Sequence, residues 1–192
     1  MFKDNKINYV NITDIDIIDN DINKDKMANY NTFITKSIND AIKDIRNNKT
    51  IGLNNDIYYL KKVLRESDIA VISVGMVELV DNFDKYNMNI NYDFFNKLYS
   101  NIENLINEVK KYAYGKVIFF GYYNPTNYYD ADIDKLFYNM NTRLNKLMTE
   151  NGVIYIDLYE LIKGNNYKEK SSFYLNKDCI NKITNVLENL IE

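Results

Sequence analysis

The sequence predicts a three-layer α/β sandwich built on a parallel sheet, and two observations carry that expectation. Nearly unbroken apolar runs occur at 69–75, 116–121 and 153–158, which suits strands covered on both faces rather than half-exposed antiparallel ones. Between the runs lie amphipathic segments long enough to be crossover helices, so consecutive strands can be parallel and joined right-handedly. With 192 residues, 46% hydrophobic and 27% charged, the chain has the size and composition of one domain with a full core, and residues 1–192 read as a single unit.

The elements follow in order. "KINYVNITDIDIID" offers a first strand through Ile7, Tyr9, Val10 and Ile12, after which an acidic alternation of Asp14, Asp16, Asp19 and Asp21 begins. That alternation lacks the loop glycine and terminal Glu of an EF-hand, so it reads as a solvated strand edge. Residues 36 to 48 carry Ile38, Ala41, Ile42 and Ile45 at helical spacing, and 56 to 67 repeat the pattern with Ile57, Leu60, Val63 and Leu64. The strand "IAVISVG" comes next. A helix is expected over 92–113, with a stripe from Phe95 to Val109 and Gly115 beyond its end, then the strand "KVIFFG". "ADIDKLFYNMNTRLNKLMTENG" is a further helix closed by Gly152, "VIYIDL" a third strand, and residues 178–191 a terminal helix.

Composition excludes several chemistries. The chain contains no histidine, so every Ser-His-Asp, Cys-His or HExxH mechanism is ruled out within it. Cys179 is the only cysteine, which removes an intrachain disulfide and any thiolate zinc site, and it reads as a structural side chain rather than an activated thiol. No Gly-rich phosphate loop follows a strand. No cofactor and no metal are expected. A net charge of -3 gives no basic field for nucleic acid. No apolar run reaches membrane-spanning length, and "MFKDNKINYV" lacks the form of a signal peptide. The expectation is a soluble, cytoplasmic protein, with a segment upstream of Met1 left open.

Four stretches, in the right order, then resemble the SGNH or GDSL-type hydrolase superfamily of esterases, lipases and acylhydrolases. "ESDIAVISVGMVEL" resembles its third block, a strand ending in Gly-x-Asn-Asp or Gly-x-Asn-Glu. "KVIFFGYYNP" resembles the following strand and loop, "GVIYIDLYELI" the fifth strand and its turn, and "SSFYLNKDCINKITNVL" the last block. The similarity is clearest over 33–192. It implies a flavodoxin-like sheet and a site at the carboxyl ends of the strands.

Carried over by position, the family's oxyanion Asn falls on Val77, its catalytic His on Tyr174, and the Asp that orients that His on Ser171. A tyrosine of pKa about 10 cannot deprotonate serine at neutral pH. No Gly-Asp-Ser occurs, and Thr13 is the hydroxyl nearest the expected nucleophile position. The resemblance therefore implies no catalytic residues. It implies a binding site drawn from Gly75, Val77, Glu78, Tyr122, Tyr123, Asn124, Tyr174 and Asn176. Glu78 reads either as an acid or base, or as a cap of the segment that follows it or a partner of a nearby Lys. "GYYNPTNYYD" reads either as a platform for a sugar or acyl chain or as a tyrosine-rich turn.

Three functions stay open: a domain that has lost ester hydrolysis and binds a small acyl or glycan ligand or a protein partner; an active esterase with a non-standard or N-terminally truncated site; and a flavodoxin-like ligand or signalling domain.

Overall fold

In chain order the elements are β1 (Ile7–Thr13), β2 (Met27–Ile34), α1 (Ile38–Arg46), β3 (Thr50–Leu53), β4 (Asp56–Tyr59), α2 (Leu60–Glu66), β5 (Ile69–Ser73) and α3 (Met76–Tyr86). They continue with α4 (Tyr92–Lys110), β6 (Lys116–Phe120), α5 (Ala131–Glu150), β7 (Ile154–Ile156), α6 (Leu158–Ile162) and α7 (Lys177–Ile191). This computed structural model describes residues 7–14, 27–53, 56–86, 92–124, 131–163 and 175–191.

Five strands form one sheet in the order β2-β1-β5-β6-β7, and every neighbouring pair is parallel. The three apolar runs named from sequence are β5, β6 and β7, side by side. β5 is buried at all five positions, which requires cover on both faces. Right-handed crossovers carry α1, α4 and α5 over one face, where α1 packs on α4. α7 is left to cover the other, through Cys179, Ile183 and Leu187. Among the described residues no helix is long and apolar enough to cross a membrane.

This strand order places a topological switch between β1 and β5, because the chain leaves β1 towards β2 but leaves β5 towards β6. Ligands of open α/β sheets bind in the crevice beyond the carboxyl ends of such a pair. Thr13 and Ser73 are register partners at that end.

Two segments differ from the sequence reading. Residues 56–67 are not one helix: Asp56–Tyr59 pairs antiparallel with Thr50–Leu53, and only Leu60–Glu66 is helical. The Ile-Tyr-Tyr run favours extended backbone, whereas Leu60, Val63 and Leu64 keep the helical spacing and are buried. The first strand also has a parallel neighbour, Met27–Ile34, whose "MANYNTFI" carries no strong apolar signal because it lies at the sheet edge.

Gly75, at the turn from β5 into α3, has φ +102°. A β-carbon there would lie 2.1 Å from the Tyr122 hydroxyl, which donates to the Val74 carbonyl at 2.7 Å. Gly75→Ala combines left-handed backbone strain with overpacking and should cost about 2–4 kcal/mol in chemical denaturation. Gly152→Ala, at φ +65° with nothing within 4 Å of the added carbon, should cost only about 1 kcal/mol. Equal losses for the two variants would show that Tyr122 does not wall off Gly75.

Candidate functional site at the strand ends

The site begins at the N-terminus of α3. Its flanking residue, Gly75, has no side chain with which to cap the free N–H groups of the first turn. Asp14, just past β1, supplies the cap: its Oδ2 accepts from Gly75 N at 2.7 Å and from Val77 N at 3.2 Å. The Asp14 amide is itself held by the Ser73 carbonyl at 3.2 Å, so the ends of β1 and β5 and the start of α3 are tied through one residue. Asp14 therefore faces inward and does not form the solvated edge read from its acidic surroundings; the unfilled donors of α3 decide its direction.

Glu78, on the first turn of α3, repeats the arrangement towards α1. Its Oε1 accepts from Ile38 N at 2.8 Å, beside the Ser37 hydroxyl that caps the same helix by accepting from Asp40 N at 3.1 Å. Glu78 is thus a cap, but of a helix forty residues upstream rather than of its own. One turn further along the same flank of α3, at i+4, lies buried Asn82.

One oxygen of each of these side chains has no partner. Asp14 Oδ1, Glu78 Oε2 and Asn82 Oδ1 are all sealed from solvent and accept no hydrogen bond. Burial pushes the Asp14 carboxyl above the ordinary aspartate range, outweighing the backbone N–H bonds that favour its charged form. Burial raises Glu78 as well, with the Asp14 charge adding to the shift.

The expected site residues are placed as follows. Gly75, Val77 and Glu78 meet Tyr122 at this end of the sheet, as the Tyr122–Val74 bond shows. Tyr122, Tyr123 and Asn124 are all buried, at 2%, 1% and 1% exposure. Tyr122 works as a prop beneath the β5 turn, and its backbone is clamped by Asn141, which accepts from Tyr122 N at 2.9 Å and donates to Tyr122 O at 2.8 Å. Asn176 caps α7, accepting from Cys179 N at 3.1 Å; Cys179 is buried, which raises its thiol pKa. Ser171 and Tyr174 lie outside the described residues. Thr13 is fully buried. Among the described residues no group of three or more His, Cys, Asp or Glu is placed to hold a metal ion.

Sequence reasoning missed Asp14 and Asn82. The signal for Asp14 was available: an acid directly after a buried strand, at the level where another strand ends in a glycine that cannot cap its own helix.

The sequence matches no family model and no curated protein. The fold, in contrast, matches solved structures over nearly its whole length. A lipase from a goat rumen metagenome superposes with a TM-score of 0.71 at 11% identity, covering 94% of this chain and 95% of that one. An acetylxylan esterase from Geobacillus stearothermophilus gives 0.65 at 9% identity over 96% and 94%. A lipolytic protein of the G-D-S-L family from Veillonella parvula gives 0.61 at 13% identity over 96% and 97%. At such identities the likeness is one of fold.

The raised carboxyl values set a pH dependence. A group held above its unfolded value stabilises the fold at low pH, and that contribution disappears as pH rises through the folded value. Asp14→Asn and Glu78→Gln remove this loss. Measured against wild type, the stability of each variant should improve as pH rises above the ordinary carboxyl range and then level off once pH passes the folded value in urea titrations. A difference that is flat with pH, or that worsens, would mean that burial does not raise the two carboxyls.

Proposed function

With an SGNH/GDSL hydrolase-like fold as the premise, we propose that this chain does not hydrolyse esters and uses the strand-end site to bind a ligand rich in hydrogen-bond donors. The observation that carries the reading is the polarity of that site. An ester hydrolase must aim donors at the oxyanion of its tetrahedral intermediate, and one such donor is worth about 2.7–4 kcal/mol. Here the Gly75 and Val77 N–H groups are already taken by Asp14. The polar atoms left without a partner there, on Asp14, Glu78 and Asn82, are all buried oxygens. Carboxylates at that spot would repel a developing oxyanion instead of stabilising it.

The sequence supports the same reading. Thr13-Asp14-Ile15 stands at the end of the first strand, where the resembled family carries Gly-Asp-Ser, so an aliphatic residue follows the aspartate in place of the nucleophile. Valine occupies the oxyanion position at 77, and no histidine exists to act as base. Hydroxyl groups of a sugar or the N–H groups of an amine are what such oxygens would accept, and a ligand reaches them only by displacing the residues that cover them. Among the neighbours in fold is an acetyl-xylooligosaccharide esterase, and a glycan is the ligand class that joins this scaffold to this polarity.

Purified protein should hydrolyse p-nitrophenyl acetate no faster than a heat-denatured control, because loss of the nucleophile or base of such a unit alone costs about 10⁶-fold in kcat. It should form no adduct with a fluorophosphonate. A burst of p-nitrophenol with a serine or threonine adduct in the mass spectrum would overturn the non-hydrolytic reading.

Binding has its own test. Xylotriose titrated by calorimetry should show saturable binding, weakened about tenfold in Glu78→Gln, since a hydrogen bond to a charged acceptor is worth about 1.5–3 kcal/mol. No heat of binding, or an unchanged affinity in the variant, would remove the glycan from consideration.

A further inference from the structure

A second recess lies away from the strand-end crevice, in the groove between the N-terminal halves of α4 and α5. It has a volume of about 370 Å³, within the range of small-molecule sites. Its floor is apolar: Phe95 and Tyr99 from α4 and Leu136 and Met140 from α5, with Met140 and Phe95 only 1% and 6% exposed. These side chains sit at i, i+4 spacings on facing helices, so the groove is a seam between the two helices that opens towards the carboxyl end of the sheet.

Charge along the groove is uneven. Asp132 and Lys135 are one turn apart on α5 and offset each other's field; neither forms an ion pair among the described residues. Arg143, two turns further on and about 12 Å from Lys135 along the helix axis, forms no ion pair among the described residues. Its guanidinium is already fixed, stacked 4.0 Å from the centroid of the Tyr99 ring and donating from Nη1 to Asn96 Oδ1 at 3.1 Å. A stacked guanidinium keeps most of its N–H donors in a planar fork that matches a carboxylate, and holding it in place beforehand removes ordering entropy from the binding step.

We propose that this groove is a binding site for a small aryl carboxylate, with the carboxylate on the free donors of Arg143 and the flat ring laid on Phe95, Leu136 and Met140. The site is distinct from the strand-end crevice and takes the opposite chemistry. One site offers acceptors to a donor-rich ligand, and the other offers a preset cation and an apolar floor to an anion. Neither site depends on the other.

The probe is 2-naphthoate, with the neutral 2-naphthamide as its control, titrated into ¹⁵N-labelled full-length protein. Naphthoate should bind saturably with Kd on the order of 1 mM, as expected for a rigid ligand of its size, and should shift amides on α4 and α5. Naphthamide should bind about tenfold more weakly. Arg143→Gln should bring naphthoate down to the naphthamide level while leaving naphthamide unchanged, a pattern that general unfolding cannot produce. Arg143→Lys should recover only part of the loss, because a lysine keeps the charge without the fork. Absence of saturable naphthoate binding, equal affinity for acid and amide, an Arg143→Gln protein that binds naphthoate as wild type does, or shifts confined to Gly75–Glu78 would each overturn the assignment.

Discussion

The contact on which the rest of this strand-end arrangement depends is the Asp14 carboxylate on the amides of Gly75 and Val77. It joins the two strands that flank the topological switch to the helix that leaves between them. A helix beginning at a glycine presents several bare N–H groups and the positive end of its dipole, and Asp14 is the anion that answers both. Glu78 then does for α1 what Asp14 does for α3. The two carboxylates form a relay of caps running from β1 through α3 to α1, and each helix start is closed by an acid from a different element. Beneath the relay, Tyr122 holds the Val74 carbonyl and blocks any side chain at position 75.

Such a relay has a cost that reappears as chemistry. Each carboxylate spends one oxygen on a cap and buries the other without a donor. Desolvating them raises their affinity for protons, and their shared charge adds to the effect on Glu78. The crevice that results is rich in acceptors, whereas acyl transfer needs donors where the oxyanion forms. The same scaffold is seen in lipases and esterases that share about a tenth of this sequence, and fold alone does not carry their reaction to this chain.

Much of the fold was legible because burial leaves a plain trace. β5, β6 and β7 are interior strands, so their apolar runs name them, and the buried stripes of α1, α4, α5 and α7 name the layers that cover them. What lay at the edge or in a turn was less visible. β2 pairs on one side only and needs no apolar run, and the β3–β4 hairpin borrows residues whose spacing also suits a helix. The stretch Gly75 to Glu78 was picked out from sequence as the expected site, but its hydrogen-bond arrangement was not legible there. Asp14 looks like one of several solvated acids until the chain brings an uncapped helix against it. Tyr122 looks like a ligand platform until its hydroxyl is seen to be needed by the Val74 carbonyl. In both cases the deciding partner lies about fifty residues or more away in sequence, where local pattern carries no information.

The most direct measurement is an NMR pH titration that follows the Asp14 side-chain carboxyl carbon together with the backbone amide protons of Gly75 and Val77. If the carboxylate caps α3, both amide protons move with the Asp14 carboxyl along one curve whose midpoint lies above the ordinary aspartate value. Amides that stay still while Asp14 titrates, or a midpoint at or below that value, would contradict the cap and the acceptor-lined site built on it.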